Sequence, residues 1–411
     1  MKRTILAALC ISLLAMSASA VDYTLGILGN ANMDDTIDEK DIEYVEGVIK
    51  GAKVATNLSD ANYDGKIDDD DIAQIGLIIS GKEKELKIRD ESERIVTLKM
   101  PLDRVVLARM GSGDEGLIAI GAADKVVGVS SGIKNFKPYI AEAGRWMDLP
   151  DVGYVYTHEL DYEKIIELNP DIVFMEPQYV DEVSKNLPDT IPVIAFSLSV
   201  PDTQKVISGL KMLGVMFGKE SEADKVVDWI QKYDSIIEER TRDLAPEEQP
   251  TFYLETYGDW ITFGSDSGDG KAAAKCGGRN IIDDVGLFPQ LDGGAYKVDP
   301  EWVLKQNPDV IFRRVRAQTD LVSEEKAKAR ILELENRTGW NELKAVENGQ
   351  LYIYVAEMNL AVANIVGRCY FAKILQPELF SDLNPRKIAD EYWNTFMGIE
   401  YPEMYVYPAP S

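Results

Sequence analysis

The chain has 411 residues, 45% of them hydrophobic, with 70 acidic against 44 basic side chains, a formal net charge of −26 and a pI near 4.5. That length exceeds one average domain and suits two or three. The charge excludes nucleic acid and anionic membrane surfaces as partners, while a single histidine, His158, excludes any multi-histidine zinc site and leaves Ser/His or Cys/His hydrolysis dependent on one residue.

Residues 1–20 read as a signal peptide. Met1-Lys2-Arg3 is a basic start, Ile5 to Met16 is an apolar run too short to span a bilayer, and Ala18-Ser19-Ala20 is a cleavage site. The mature chain then begins at Val21 and is secreted, to an extracellular or periplasmic location. Cys10 lies inside the apolar run behind Ala7-Ala8-Leu9, a poor lipobox, so lipid anchoring there is the lesser reading. The mature chain keeps Cys276 and Cys369. In an oxidising compartment they pair, or they are two buried thiols; both readings stay open.

Residues 25–82 carry an internal repeat. Asn30-x-Asn32-x-Asp34-x-x-Ile37-Asp38-x-x-Asp41-Ile42 recurs thirty residues later as Asp60-x-Asn62-x-Asp64-x-x-Ile67-Asp68-x-x-Asp71-Ile72. Oxygen donors at loop positions 1, 3, 5, 9 and 12, with an apolar residue at 8, form an EF-hand-type calcium loop. The expected donors to two Ca2+ ions are Asn30, Asn32, Asp34, Thr36, Asp38 and Asp41, and Asp60, Asn62, Asp64, Lys66, Asp68 and Asp71. Thr36 and Lys66 sit at position 7, which serves through its backbone carbonyl. Gly65 permits the sharp turn at position 6, where the first loop has Asp35. A single helix ending at glycine, Gly51 or Gly81, follows each loop. This stretch resembles a dockerin module, which ends its loops in Asp, as Asp41 and Asp71 do here. The resemblance implies a cohesin-type partner chosen in part by positions 10 and 11, here Glu39-Lys40 and Asp69-Asp70. The module is expected to melt separately from the rest of the chain when calcium is withdrawn.

A second repeat follows at an offset of 138. Asp161-Tyr-Glu-Lys-Ile-Ile-Glu-Leu-Asn-Pro-Asp-Ile-Val-Phe174 recurs as Asp299-Pro-Glu-Trp-Val-Leu-Lys-Gln-Asn-Pro-Asp-Val-Ile-Phe312. Each copy reads as an Asp N-cap, two helical turns, an Asn-Pro-Asp turn and a buried strand. Two copies imply two similar α/β lobes. Between them Glu220 to Leu244 carries a helical stripe of Val226, Val227, Ile230, Tyr233, Ile236 and Ile237, long enough to bridge roughly 35 Å.

Residues 86 to 400 resemble the helical-backbone, class III, substrate-binding proteins of ABC transporters that take iron-siderophores, haem or vitamin B12. The resemblance is carried by the opening hairpin Ile88 to Leu98, the strands Arg104-Val-Val-Leu107 and Val126-Val-Gly-Val129, Cys276-Gly-Gly-Arg-Asn-Ile281, Trp340-Asn-Glu-Leu-Lys-Ala-Val346 and Pro377-Glu-Leu-Phe380, in that order. It implies non-covalent capture and delivery to a membrane permease, docked through one acidic residue on each lobe. Glu182 matches in the first lobe. In the second the matching position is Ala274, so Asp269 or Asp266 must substitute.

The resulting fold class is α/β: two similar lobes (residues 100–218 and 247–400) joined by one long helix (219–246), preceded by a linker and hairpin (83–99) and the small all-α calcium module. Ligands sit at the carboxyl ends of strands in such sheets. Following each expected strand outward gives Arg109 and Met110, Glu176 and Gln178, Tyr257 and Trp260, Arg313, Arg314 and Arg316, and Glu357, with Tyr156 and His158 on the loop before the first repeat. Arginine forks suit carboxylate, phosphate or catecholate oxygens, and the aromatic residues suit a flat organic ligand. The expected cargo is an iron-siderophore-type metal chelate, with corrinoid or haem as the alternative, His158 then being a candidate axial ligand to iron or cobalt. From another class, the chain would be a non-catalytic component of a cohesin–dockerin assembly. No paired carboxylates sit in a recognisable glycosidase setting, and no enzyme is expected.

Overall fold

The computed structural model describes residues 25–286, 291, 294–316, 323–400 and 404–410; the leader and Cys10 lie outside them. The loops of the first repeat each lead into a helix, α1 (Glu39–Ile49) and α2 (Asp69–Ile79). Asp38 and Asp68 are the N-caps, and Asp41 and Asp71 reach back to the N-cap amides, closing two capping boxes. Ala31, Val45, Ala61 and Ile75 form a small core between the helices.

That module is not a separate bead. Residues 26–28 add an edge to the hairpin β1 (Glu85–Arg89) and β2 (Ile95–Lys99): the Arg89 amide donates to the Gly26 carbonyl at 2.7 Å and the Leu28 amide to the Lys87 carbonyl at 2.9 Å. A Cβ on Gly26 would stand 2.3 Å from the Arg89 carbonyl oxygen, so the approach requires glycine. Leu25, Ile27 and Ile78 are buried in the same core as the two lobes. Burial of such side chains contributes about 1.5–3 kcal/mol each, so the module is joined to the lobes by a sealed seam.

The first lobe is a four-stranded parallel sheet, β3 (Val105–Leu107), β4 (Val126–Val129), β5 (Ile172–Met175) and β6 (Val193–Ala195), in the order β4-β3-β5-β6. Its strands are short, nearly continuous apolar runs, as a sheet covered on both faces demands. The chain order reverses direction about β3, which opens a crevice at that strand's carboxyl end.

Two antiparallel-packed helices connect the lobes, α3 (Thr203–Phe217) and α4 (Glu220–Thr241), turning at Gly218, whose φ of +60° suits glycine. With 22 residues, α4 runs about 33 Å, and it buries Val226, Val227, Trp229, Ile230, Tyr233 and Ile237. The second lobe holds β7 (Thr251–Glu255), β8 (Ile261–Phe263), β9 (Arg279–Asn280), β10 (Ala295–Lys297), β11 (Val310–Val315), β12 (Leu351–Val355) and β13 (Val406–Tyr407). They run in the order β10-β8-β7-β11-β12-β13, with β9 also on β7. The central β7, β11 and β12 are parallel. After β12 comes a helix, α5 (Asn364–Leu375), that is almost wholly buried.

The second repeat has one structural meaning in both copies. Asp161 and Asp299 cap the helices Tyr162–Leu168 and Pro300–Gln306, and Asn169 and Asn307 end them at φ of +44° and +47°. Asp171 then accepts the amides of Asp103 and Arg104, both at 2.8 Å, at the start of β3. Asp309 likewise accepts the Thr251 amide at 2.9 Å and its hydroxyl at 2.6 Å, at the start of β7. The Asn-Pro-Asp turn thus sets the register of the neighbouring parallel strand. Among the described residues no helix is long and apolar enough to cross a membrane.

Candidate ligand cleft

Arg109 follows β3 at the reversal crevice and is 8% exposed. Its Nε lies 2.8 Å from Glu176 Oε2, its Nη2 bonds the Tyr156 hydroxyl, and its guanidinium sits 5.2 Å above the Tyr156 ring. The Tyr156 hydroxyl donates to Glu176 at 3.0 Å, as does the Gln178 amide at 3.1 Å. Phe136, Tyr154, Tyr156 and Tyr179 form an aromatic ladder with successive centroids 5.7, 5.3 and 5.5 Å apart. Phe136 and Tyr156 expose over two-fifths of their surface. Burial raises the Tyr154 and Tyr156 phenol pKa values against the pull of Arg109, so both stay neutral hydrogen-bond donors at neutral pH. Met110 is half-buried against the lobe core.

In the second lobe β11 extends to Val315, further than the sequence pattern predicts. Arg313 and Arg314 therefore lie within the strand, and its two-residue alternation sends them to opposite faces. Arg314 faces Asp269, Nε to Oδ2 3.2 Å, with the Tyr354 hydroxyl donating to the same carboxylate at 2.7 Å. The Tyr257 ring lies 4.7 Å from the Arg314 guanidinium and 5.0 Å from that of Arg316. Arg316, beyond the strand, also acts electrostatically on Tyr154 of the first lobe, as Arg109 does. Glu357, after β12, acts on Lys137 of the first lobe and on Arg314. Three guanidinium groups (Arg109, Arg314, Arg316) thus share the cleft with three carboxylates (Glu176, Asp269, Glu357), and the walls are rich in tyrosine.

Four expectations are corrected. Arg313 is 3% exposed and faces away from the cleft, held by Glu255 and by the carbonyls of Tyr257, at 3.1 Å, and Gly258, at 3.3 Å. Trp260 packs edge-on against Trp340 at 5.8 Å and under Arg337 at 5.2 Å, where it braces the loop that presents Tyr257. The His158 side chain is 74% exposed, with Nδ1 4.0 Å from Glu182 as its neighbour. Asp269 is 1% exposed and neutralises Arg314, so it offers nothing to a permease surface; Asp266 is exposed, and Glu182 is exposed as expected. Arg337, which bonds Glu255 at 2.8 and 3.0 Å and Asp259 at 2.7 Å, escaped the sequence reading because no strand end precedes it.

The calcium-type loops bring their donors together in matching ways. Asp41 accepts the Asn32 amide at 3.0 Å and the Asp38 amide at 2.9 Å; Asp71 accepts those of Asn62 at 3.1 Å and Asp68 at 2.9 Å. Asp34 and Asp64 bind the amides of Thr36 and Lys66, at 3.0 and 2.9 Å. Asn30 is fully buried, and its Oδ1 has no hydrogen-bond partner while its Nδ2 donates to the Leu25 carbonyl. An orphaned acceptor oxygen at loop position 1 is what a hard cation would satisfy, so the donor set fits calcium. Among the described residues no three His, Cys, Asp or Glu side chains converge as a metal cluster; these loops rely on asparagine and carbonyl oxygen as well. Cys276 and Cys369 are free, buried thiols.

Two α/β lobes about a helical backbone, with a charged cleft at opposed strand ends, define a binding protein, and the family model described as periplasmic binding protein matches residues 108–357. The chain belongs to that family, and it is the substrate-binding component of an ABC transporter. Among its relatives, the ABC transporter substrate-binding lipoprotein YvrC of Bacillus subtilis is 28% identical over 64% of this chain and 76% of its own. The molybdate-binding protein MolA of Haemophilus influenzae is 23% identical over 76% of this chain and 91% of its own. The TroA-like periplasmic binding protein FepB of Veillonella parvula shares the fold with a TM-score of 0.67 at 23% identity, covering 78% of this chain and 98% of that one. CeuE of Helicobacter pylori, solved as a nickel–histidine complex, does so with a TM-score of 0.58 at 19% identity, over 77% and 96%.

Proposed function

We propose that the cleft captures an oxygen-rich, anionic metal chelate of the iron-siderophore type for delivery to a membrane permease, and that the N-terminal loops bind two calcium ions. The observation that supports the first reading is the pairing of guanidinium groups with tyrosine rings on both lobes, Arg109 at 5.2 Å from Tyr156 and Arg314 and Arg316 at 4.7 and 5.0 Å from Tyr257. Guanidinium forks bind chelate oxygens, the ladder from Phe136 to Tyr179 offers flat faces, and neutral phenols donate hydrogen bonds. Glu182 and Asp266 are the exposed acids suited to permease contact. The exposed pairs Glu39-Lys40 and Asp69-Asp70 would meet a cohesin-type partner.

Fluorescence titration of the full chain with ferric catecholate and hydroxamate siderophores, cobalamin, haem and molybdate tests the cargo. The expected result is sub-micromolar quenching by a ferric siderophore, weakened at least about tenfold in Arg109→Ala, or about 1.4 kcal/mol. Response to cobalamin or haem alone would assign the same clamp to a corrinoid or haem. Response to molybdate alone would replace the chelate by a bare oxyanion, a reading favoured by the molybdate-binding relative.

A further inference from the structure

The two calcium-type loops differ at position 6. Gly65 in the second loop takes φ of +88°, donates its amide to Asp60 at 2.9 Å, and has open space around it. Asp35 in the first takes φ of +63°, a conformation unfavourable for a residue with a side chain. Its carboxylate leaves the loop altogether. One oxygen accepts the Leu25 amide; the other accepts the Ser208 hydroxyl at 2.9 Å and the Gln204 amide at 3.3 Å. Both partners lie on the first two turns of α3.

Those turns are where the rest of the molecule meets. Asp202, the N-cap of α3, is 3.2 Å from Lys271 of the second lobe. Thr203 accepts at 2.9 Å from Arg368 of α5, which also pairs with Asp234 of α4. Lys205 pairs with Glu91 of the hairpin turn, whose other oxygen receives the Ser197 amide. The first loop, the hairpin and both lobes therefore converge on residues 202–208.

We infer that Asp35 makes the first calcium-type loop a strut against α3, so that filling this loop steadies the junction that holds the lobes together. The inference rests on the reading that the loops bind calcium. A cation drawing in Asn30, Asn32, Asp34 and Asp41 fixes the backbone on both sides of Asp35, and with it the carboxylate that Ser208 and Gln204 hold. The second loop has no such arm, because glycine stands in its place.

The test uses the full chain, stripped of calcium and then titrated with calcium chloride. Isothermal titration counts the ions bound, and hydrogen exchange follows the amides of Thr203–Phe217. In the unaltered chain two ions bind, and protection of those amides rises at least about tenfold. Asp35→Gly copies the second loop; it keeps two ions but loses most of that rise. Ser208→Ala with Gln204→Ala leaves the loop untouched and gives the same loss, which covers the case of a loop variant that folds poorly. Unchanged transmission in both variants, or two bound ions with no change in α3, overturns the strut while sparing the calcium reading. Absence of calcium binding overturns both, and the ion count tells these outcomes apart.

Discussion

At repeat-equivalent positions the first lobe carries Glu176 and the second Arg314, 138 residues on. Each comes after the same Asp-capped helix and Asn-Pro-Asp turn, Glu176 just beyond its strand and Arg314 still within the longer β11. The charges are opposite, and so are their partners: Glu176 takes Arg109, and Arg314 takes Asp269. One position earlier the contrast is larger. Met175 is an ordinary core side chain, whereas Arg313 is equally buried and needs Glu255, with Arg337 and Asp259 completing a four-charge network. A repeated backbone unit thus fixes where side chains project, and local partners decide what each wall can hold. The second wall is ordered by buried charge; the first exposes aromatic faces around one ion pair.

The largest test of that contrast is Glu255→Ala. It leaves Arg313 and Arg337 without their shared carboxylate in a buried site, and an expected loss of about 3–5 kcal/mol is measured by denaturant unfolding. Glu176→Ala, at a pair whose side chains are 9% and 19% exposed, is expected to cost less, about 1.5–3 kcal/mol; equal losses would erase the distinction between the walls. Next, Asp171→Ala and Asp309→Ala should each cost about 1–3 kcal/mol by freeing donors at a strand start. Agreement between them would mark the turn as the shared part of the design, and a large disparity would break the repeat's structural equivalence.

A smaller effect concerns affinity. Glu176→Gln removes the first wall's counter-charge and should tighten binding of an anionic chelate about three- to tenfold, while Arg314→Gln should weaken it by a similar factor. Titration of both variants with one ferric siderophore decides whether reversed polarity gives reversed effect. The smallest involves the thiols, which among the described residues only the second lobe side holds. Burial pushes the Cys369 thiol up to about 12 and raises that of Cys276. The folded chain keeps those protons where the unfolded chain releases them, so stability falls as pH rises from about 9 toward 12. Cys369→Ala should flatten that fall by about 1 kcal/mol at pH 9.5. Both thiols should resist a disulfide reagent at pH 8 until the chain unfolds.

The repeat made much of this legible. Capping aspartates, Asn-Pro-Asp turns and apolar strands are local signals, and they place Arg109, Glu176 and Tyr257 beyond strand ends. The pattern ends β11 too early because Arg313 and Arg314 look like loop residues; their burial depends on Glu255 and Asp269, 58 and 45 residues earlier. Trp260 looks like a ligand residue for the same reason, since its neighbours Arg337 and Trp340 are distant in sequence. The Asp35 anomaly was visible in the pattern, but its partners on α3 are more than 160 residues away. Local chemistry was readable; long-range compensation was not.

The convergence on residues 202–208 bears on how a cargo meets the cleft. Lys271 and Arg368 tie the second lobe to α3, and Tyr392 donates to Glu115 of the first lobe at 2.9 Å. With the walls fastened on several sides and braced by α4, the expectation is that nearly every molecule presents the same cleft before any cargo arrives. The apparent dissociation constant is then the intrinsic one, undiminished by a minority binding-competent population. On that expectation, release would require those fastenings to be forced apart.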